Sequence, residues 1–232
     1  MKLPEQIDTT DIRAADGIYA VLVNDEPLRT PKGHPVQVLS WELANAMADE
    51  LMAAGALDLQ RLTLYALYAT QRDFIEDRID ATIGAILQHL ASDFALHPDA
   101  DPALAAKQLA AWAPLLACLR AIGPELPIAR PLQDVQMPWE LTEGVRMQLI
   151  AMSPAQLTVV LQAVTNLGSV VLGVLLAQQG LEVDQAVSAL TVTASHMARQ
   201  IREEPEPSEI FAAEMRQTVQ RLLRYVRLSA QR

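Results

Sequence analysis

Ile18-Tyr19-Ala20-Val21-Leu22-Val23 is a short run of apolar, β-prone side chains, and it stops there. Such a run, bounded by turn residues, marks a β-strand. The next residues are Asn24-Asp25-Glu26-Pro27-Leu28-Arg29-Thr30-Pro31-Lys32-Gly33, followed by the apolar pair Val36 and Val38. Asn-Asp, two prolines and a glycine between β-type runs predict a hairpin and its return. After Pro35 the pattern turns helical. Ser40 can cap a helix from Trp41 to about Ala54, with Gly55 as its stop. A long stripe follows, with Leu64, Leu67, Tyr68, Ile75, Ile79, Ile83, Ile86 and Leu90 near a 3.6-residue period. It predicts one helix from about Leu62 to Ala91.

Local signals divide the remainder. Asp101 before Pro102 is an N-cap followed by a first-turn proline. Pro114 should break a helix near Ala113, and alanine caps a restart about 1 kcal/mol less well than aspartate. Residues 123–138 are rich in proline and expected to be irregular. Pro138 opens a helix through Met152. Ser153-Pro154-Ala155-Gln156 is a capping box, and its helix is expected to run to about Gln179, with Gly180 as the stop. Asp184 caps a further helix to about Glu204, which Pro205 and Pro207 end. Ser208 starts the last, with Phe211, Met215, Val219, Leu222 and Val226 on one face. The class is α+β: a small N-terminal β-hairpin and α-β unit over residues 1–90, then a larger all-α helical bundle over 91–232.

No charged side chain occurs from Met147 to Leu181. Such a stretch could span a bilayer, which takes about 20 apolar residues. Gln156, Gln162 and Asn166 would then be buried in lipid at a cost, and neither end carries a basic flank. A core helix of a bundle is the better reading. Ser169, Gly173 and Ala177 would give it a face of small residues where a neighbouring helix can approach.

The 232 residues carry a formal net charge of -10. That balance argues against sequence-independent nucleic-acid binding, which needs clustered Lys and Arg, and against docking on anionic lipid. A single cysteine, Cys118, permits no internal disulfide and sits in an apolar helical run as a small core residue. The first residues, Met1 to Asp8, lack the apolar stretch of a secretory signal and the Arg-rich character of a transit peptide.

Candidate chemistry is sparse. His34, His89, His97 and His196 have no His or Cys partner at metal-ligand spacing. Ser195 and His196 are adjacent on a helix and point apart, so they are no nucleophile–base pair. No glycine-rich loop is shaped for a nucleotide. Asp73, Glu76, Asp77 and Asp80 fall on one helix face. They form either a solvated face, helped by Arg72 and Arg78, or a site for a cation or basic partner. A helical small-molecule or cation-binding protein, or an enzyme, built on Asp73 to Asp80 is therefore the alternative reading. Charges also gather from Arg202 to Glu209, where one helix gives way to the next; Glu209 suits a helix N-terminus.

The ending Pro27-Leu28-Arg29-Thr30-Pro31-Lys32-Gly33 resembles the opening of one family, the assembly chaperones of the ATP synthase catalytic head. Val38-Leu39-Ser40 with Glu42-Leu43-Ala44 and Ala46 to Glu50 is similar to that family's first helix, and Leu62 to Ala66 to its next helix start. Trp112-Ala113-Pro114-Leu115-Leu116 resembles its Trp-Asp-Pro-Leu-Leu element. Leu167-Gly168-Ser169 with Leu172, Leu175 and Ala177 resembles its long apolar helix. Leu51, Ile201 and Arg202 depart from it, where Trp, Trp and Gly are usual. The resemblance implies a non-enzymatic chaperone, without cofactor or metal, that holds the unassembled α subunit until the β subunit replaces it. It implies a bacterial cytoplasmic protein, or a mitochondrial matrix one if the chain is a processed form. Glu204, Glu206, Asp93 and Glu50 match acidic positions and are the implied client contacts. A diverged relative with another protein client shares all these features.

Overall fold

Two tight turns build the sheet. The structure, a computed structural model, describes residues 6–56, 63–123, 125–128, 135–201 and 206–230, without the side chains of 199–201 and 206–207. β1 (Thr10–Ala15) and β2 (Ile18–Val23) are joined by Asp16 and Gly17, both at positive φ (51° and 77°). Asp-Gly is the pair that a two-residue hairpin turn requires. A second such turn, Asn24 and Asp25 (φ 52° and 65°), leads to β3 (Glu26–Pro27). β4 (Gln37–Val38) pairs with the start of β2, Tyr19 opposite Val38, while β3 pairs with its end. The hairpin and its return are as expected; β1 extends the sheet by a strand that the apolar run from Ile18 had not indicated.

α1 (Trp41–Ala54) starts where Ser40 Oγ accepts from the Leu43 N–H (3.0 Å) and ends at Gly55 in the left-handed region. The expected helix from Leu62 to Ala91 is not continuous. α2 (Leu64–Thr70) widens into a π-helical turn (Gln71–Ile75), and α3 (Ile79–Gln88) starts afresh. The Glu76 N–H reaches back five residues to the Gln71 carbonyl, which is the hydrogen bond of a π turn. Apolar spacing survives such an insertion, so periodicity alone carried the stripe across the break.

The helical part continues with α4 (Pro102–Ala111), α5 (Ala113–Ile122), α6 (Trp139–Ile150), α7 (Pro154–Leu167), α8 (Val170–Ala177), α9 (Val183–Ile201) and α10 (Glu206–Ala230). Asp101 caps α4 as expected, accepting from the Ala103 N–H. The break at Pro114 is a bend of 68°. Its cap position is Trp112, which offers no side-chain hydrogen bond to the helix. The capping box at Ser153 and Gln156 is present. The expected helix to Gln179 instead ends at Gly168 (φ 71°), and Ser169 caps α8 by accepting from the Leu172 N–H (3.0 Å). The charge-free stretch is therefore a pair of shorter helices. Among the described residues, no single helix is long and apolar enough to cross a membrane. Asp184 lies in the first turn of α9 rather than at its cap, and α10 begins at Glu206, ahead of Ser208.

The chain divides into two compact units, Met1–Ile79 with Leu223–Arg232, and Asp80–Leu222. The boundary lies earlier than the expected 90/91, and the C-terminal end of α10 rejoins the first unit. In that unit Tyr225 is fully buried, and its hydroxyl donates to Gln71 Oε1 (2.6 Å). Burial, reinforced by the Asp73 charge, pushes the Tyr65 hydroxyl up to about 12. In the second unit, α7 and α8 pack through Gly173. A Cβ there would stand 2.9 Å from Val160 Cα and 3.0 Å from Ala163 Cβ. Backbone at that distance cannot yield cheaply. Gly173→Ala should therefore destabilise the protein by about 1–2 kcal/mol, because overpacking outweighs the ~1 kcal/mol gained in helix propensity. A lowered denaturant midpoint would register it, and an unchanged or raised midpoint would contradict the close approach.

Candidate functional site

Asp93 organises the helical unit from its interior. It sits between two short 3-10 turns (Leu90–Ser92 and Phe94–Leu96) and is fully buried. Its carboxylate accepts from the Ala95 N–H (3.1 Å), the Val171 N–H (3.0 Å) and the Ser169 hydroxyl (2.9 and 2.8 Å to its two oxygens). Burial pushes this carboxyl above its ordinary value, and the donors at Val171, Ser169 and Ala95 partly oppose that. The side chain thus ties the turn carrying Phe94 to the break between α7 and α8. Its carboxylate is turned inward, engaged by this chain and not presented to a partner.

A groove opens beside that tie. Phe94, Trp112, Leu167, Leu190, Phe211 and Met215 line a cavity of about 250 Å³, with Asn166 and Thr193 among its polar atoms. The Phe94 and Trp112 rings lie 5.4 Å apart and tilted, and the Trp112 indole N–H donates to the Ala189 carbonyl on α9 (2.9 Å). The chain holds three Phe and three Trp, and half of those six line this groove. Ile210 and Met197, on the two helices that bound it, are exposed. A further apolar stripe lies on α6, where Trp139, Met147 and Ile150 share the outer face and are 73%, 56% and 45% exposed. Residues from five separate elements contribute to the groove, so no local motif announced it; the scarcity of aromatics was the one available signal.

The other implied contacts fare differently. Glu50, half-buried, accepts from the Leu64 N–H (2.8 Å) and so ties the end of α1 to the start of α2. Glu204 lies outside the described residues. Glu206 opens α10, and its side chain is outside the described set.

The distinctive hairpin ending has a structural task. Asp73, expected on a solvated acidic face, points inward with its side chain fully covered. Its carboxylate accepts from the Thr30 hydroxyl (2.5 Å) and the Lys32 N–H (3.0 Å), and it meets His34 Nδ1 at 2.8 Å. The Lys32 ammonium donates to the Asp73 carbonyl (2.6 Å) and lies over the Phe74 ring. Thr30-Pro31-Lys32-Gly33-His34 therefore wraps the π turn. That corrects the reading of Asp73 to Asp80 as one solvated or cation-binding stripe. Glu76 pairs with Arg72 (2.8 Å), and no three His, Cys, Asp or Glu among the described residues are placed to hold a metal ion. Cys118 is half-buried, and burial raises its thiol.

Burial alone would raise the Asp73 carboxyl; the donors Thr30, His34 and Lys32 outweigh it and hold it below its ordinary value. A carboxyl depressed by folding contributes stability that is present above its unfolded pKa and lost as pH falls through the folded one. The first unit should thus lose its near-ultraviolet tyrosine signal on acidification below about pH 4. Asp73→Asn should weaken that dependence and lower stability at neutral pH by about 2 kcal/mol. Retention of the wild-type acid profile in that variant would refute the assignment.

Comparisons with known proteins agree with this architecture. Residues 6–120 match the family model of the ATP12 chaperone protein. The crystal structure of Atp12 from Paracoccus denitrificans superposes with a TM-score of 0.81 at 21% identity, covering 98% of each chain. A protein of Agrobacterium tumefaciens superposes with a TM-score of 0.80 at 24% identity, over 95% of this chain and 83% of that one. At these identities the structural likeness establishes the fold. No curated protein sequence matches significantly.

Proposed function

Because the chain belongs, through residues 6–120, to the ATP12 chaperone protein family, we propose that it holds the unassembled α subunit of the ATP synthase head until the β subunit takes its place. An assembly chaperone's task is to cover an apolar subunit interface that would otherwise self-associate. The observation that supports this reading is the open aromatic groove, bounded by the exposed Ile210 and Met197. Apolar side chains that stay exposed in the free protein can accept an apolar client segment without prior unfolding. Exposed Glu209 and Glu214 on α10 would add selectivity for clients with basic flanks, mainly through encounter rate. Binding of this kind needs no bond-making, so the reading assigns no catalytic residue.

Crosslinking the purified protein with separate α and β subunits tests it. The α subunit should crosslink, and added β subunit should displace it. Phe211→Asp should weaken α-subunit binding at least about tenfold, or ~1.4 kcal/mol. Phe211 is partly exposed, so stability should change by less than about 1 kcal/mol. Crosslinking to neither subunit, or undiminished binding by the variant, would overturn the proposal.

A further inference from the structure

A second cleft lies in the helical unit, between α4 and α9, with a volume of about 400 Å³. Ala110, Ala111 and Val192 supply its apolar lining, and Lys107, Ser188 and Ser195 its polar groups. Small-molecule sites are typically ~300–1,000 Å³. Lys107 is exposed, and its ammonium lies 2.9 Å from Nδ1 of the buried His196. An ammonium only donates, so Nδ1 accepts and the imidazole proton sits on Nε2, facing the Asp101 carboxylate at 3.7 Å. The contact fixes the Lys107 side chain over the cleft. Two of its three N–H bonds then have no acceptor among the described residues, and neither do the Ser188 and Ser195 hydroxyls. The Thr191 hydroxyl is engaged with the Val187 carbonyl (2.8 Å).

We propose that this cleft binds a small organic carboxylate, with the carboxyl group on Lys107 and the serine hydroxyls and a short apolar body on Ala110, Ala111 and Val192. Charge selects the carboxylate. Among the described residues one cation, Lys107, lines the cleft, with Asp101 nearby, and in a chain of net charge -10 that suits a monoanion far better than a phosphate dianion. Fixing the lysine in advance lowers the cost of ordering its long side chain on binding. The site is separate from the aromatic groove and stands whether or not the α subunit is the client.

Titration of the full chain with butyrate, followed by amide chemical shifts, tests the assignment. Butyrate should bind with a dissociation constant on the order of 1 mM, shifting α4 and α9 resonances. The neutral isostere 1-butanol and inorganic phosphate should bind at least tenfold more weakly. Lys107→Met should weaken butyrate at least tenfold. Ala110→Leu, which crowds the apolar lining and leaves the lysine, should do the same, with thermal melts confirming that each variant folds. Absence of butyrate binding, equal binding of 1-butanol, or wild-type affinity in both folded variants would overturn the proposal.

Discussion

A carboxylate sealed inside a helical unit must be supplied with donors, and the way Asp93 obtains them sets the local architecture. Desolvating an unpartnered ion costs several kcal/mol. Two backbone N–H groups and one hydroxyl converge on it instead, and each comes from a chain break: Ala95 from a 3-10 turn, Ser169 and Val171 from the gap between α7 and α8. Helix interiors have no N–H groups to spare, whereas helix starts do. The division of the charge-free stretch into two helices is thus coupled to the buried ion. The same tie places Phe94 at the mouth of the aromatic groove.

Much of the fold was legible where a single residue decides backbone geometry. Ser40, Asp101 and Ser153 cap the helices they were expected to cap, and Gly55 ends its helix because only glycine takes the left-handed conformation without strain. Periodicity was less reliable. The stripe from Leu64 to Leu90 holds its spacing through the π turn, because the inserted residue is absorbed within the wide turn. Gly168-Ser169 was a stop followed by a cap, outweighed in the reading by the apolar run around it. Asp16-Gly17 was a hairpin signal of the same kind, overlooked because the strand before it carries exposed, mixed side chains.

The candidate site was less legible, for a physical reason. A docking groove is defined by side chains brought together from Phe94 to Met215, and no spacing rule connects positions so far apart. The conspicuous motif, from Pro27 to Gly33, proved to be an internal fastening around Asp73. Thr30, Lys32 and His34 converge there on one carboxylate, which holds the loop to a single path. Acidic residues chosen by resemblance divide accordingly: Asp93 and Glu50 serve the chain's own backbone.

The return of α10 to the first unit bears on how the protein is made. The β-strands and α1 leave the ribosome before the helical unit, but Tyr225, the buried partner of Gln71, is translated 154 residues after that glutamine. Until then Gln71 lacks the hydroxyl that its side-chain oxygen accepts from. The intervening helical unit can therefore close first, while the first unit waits for α10.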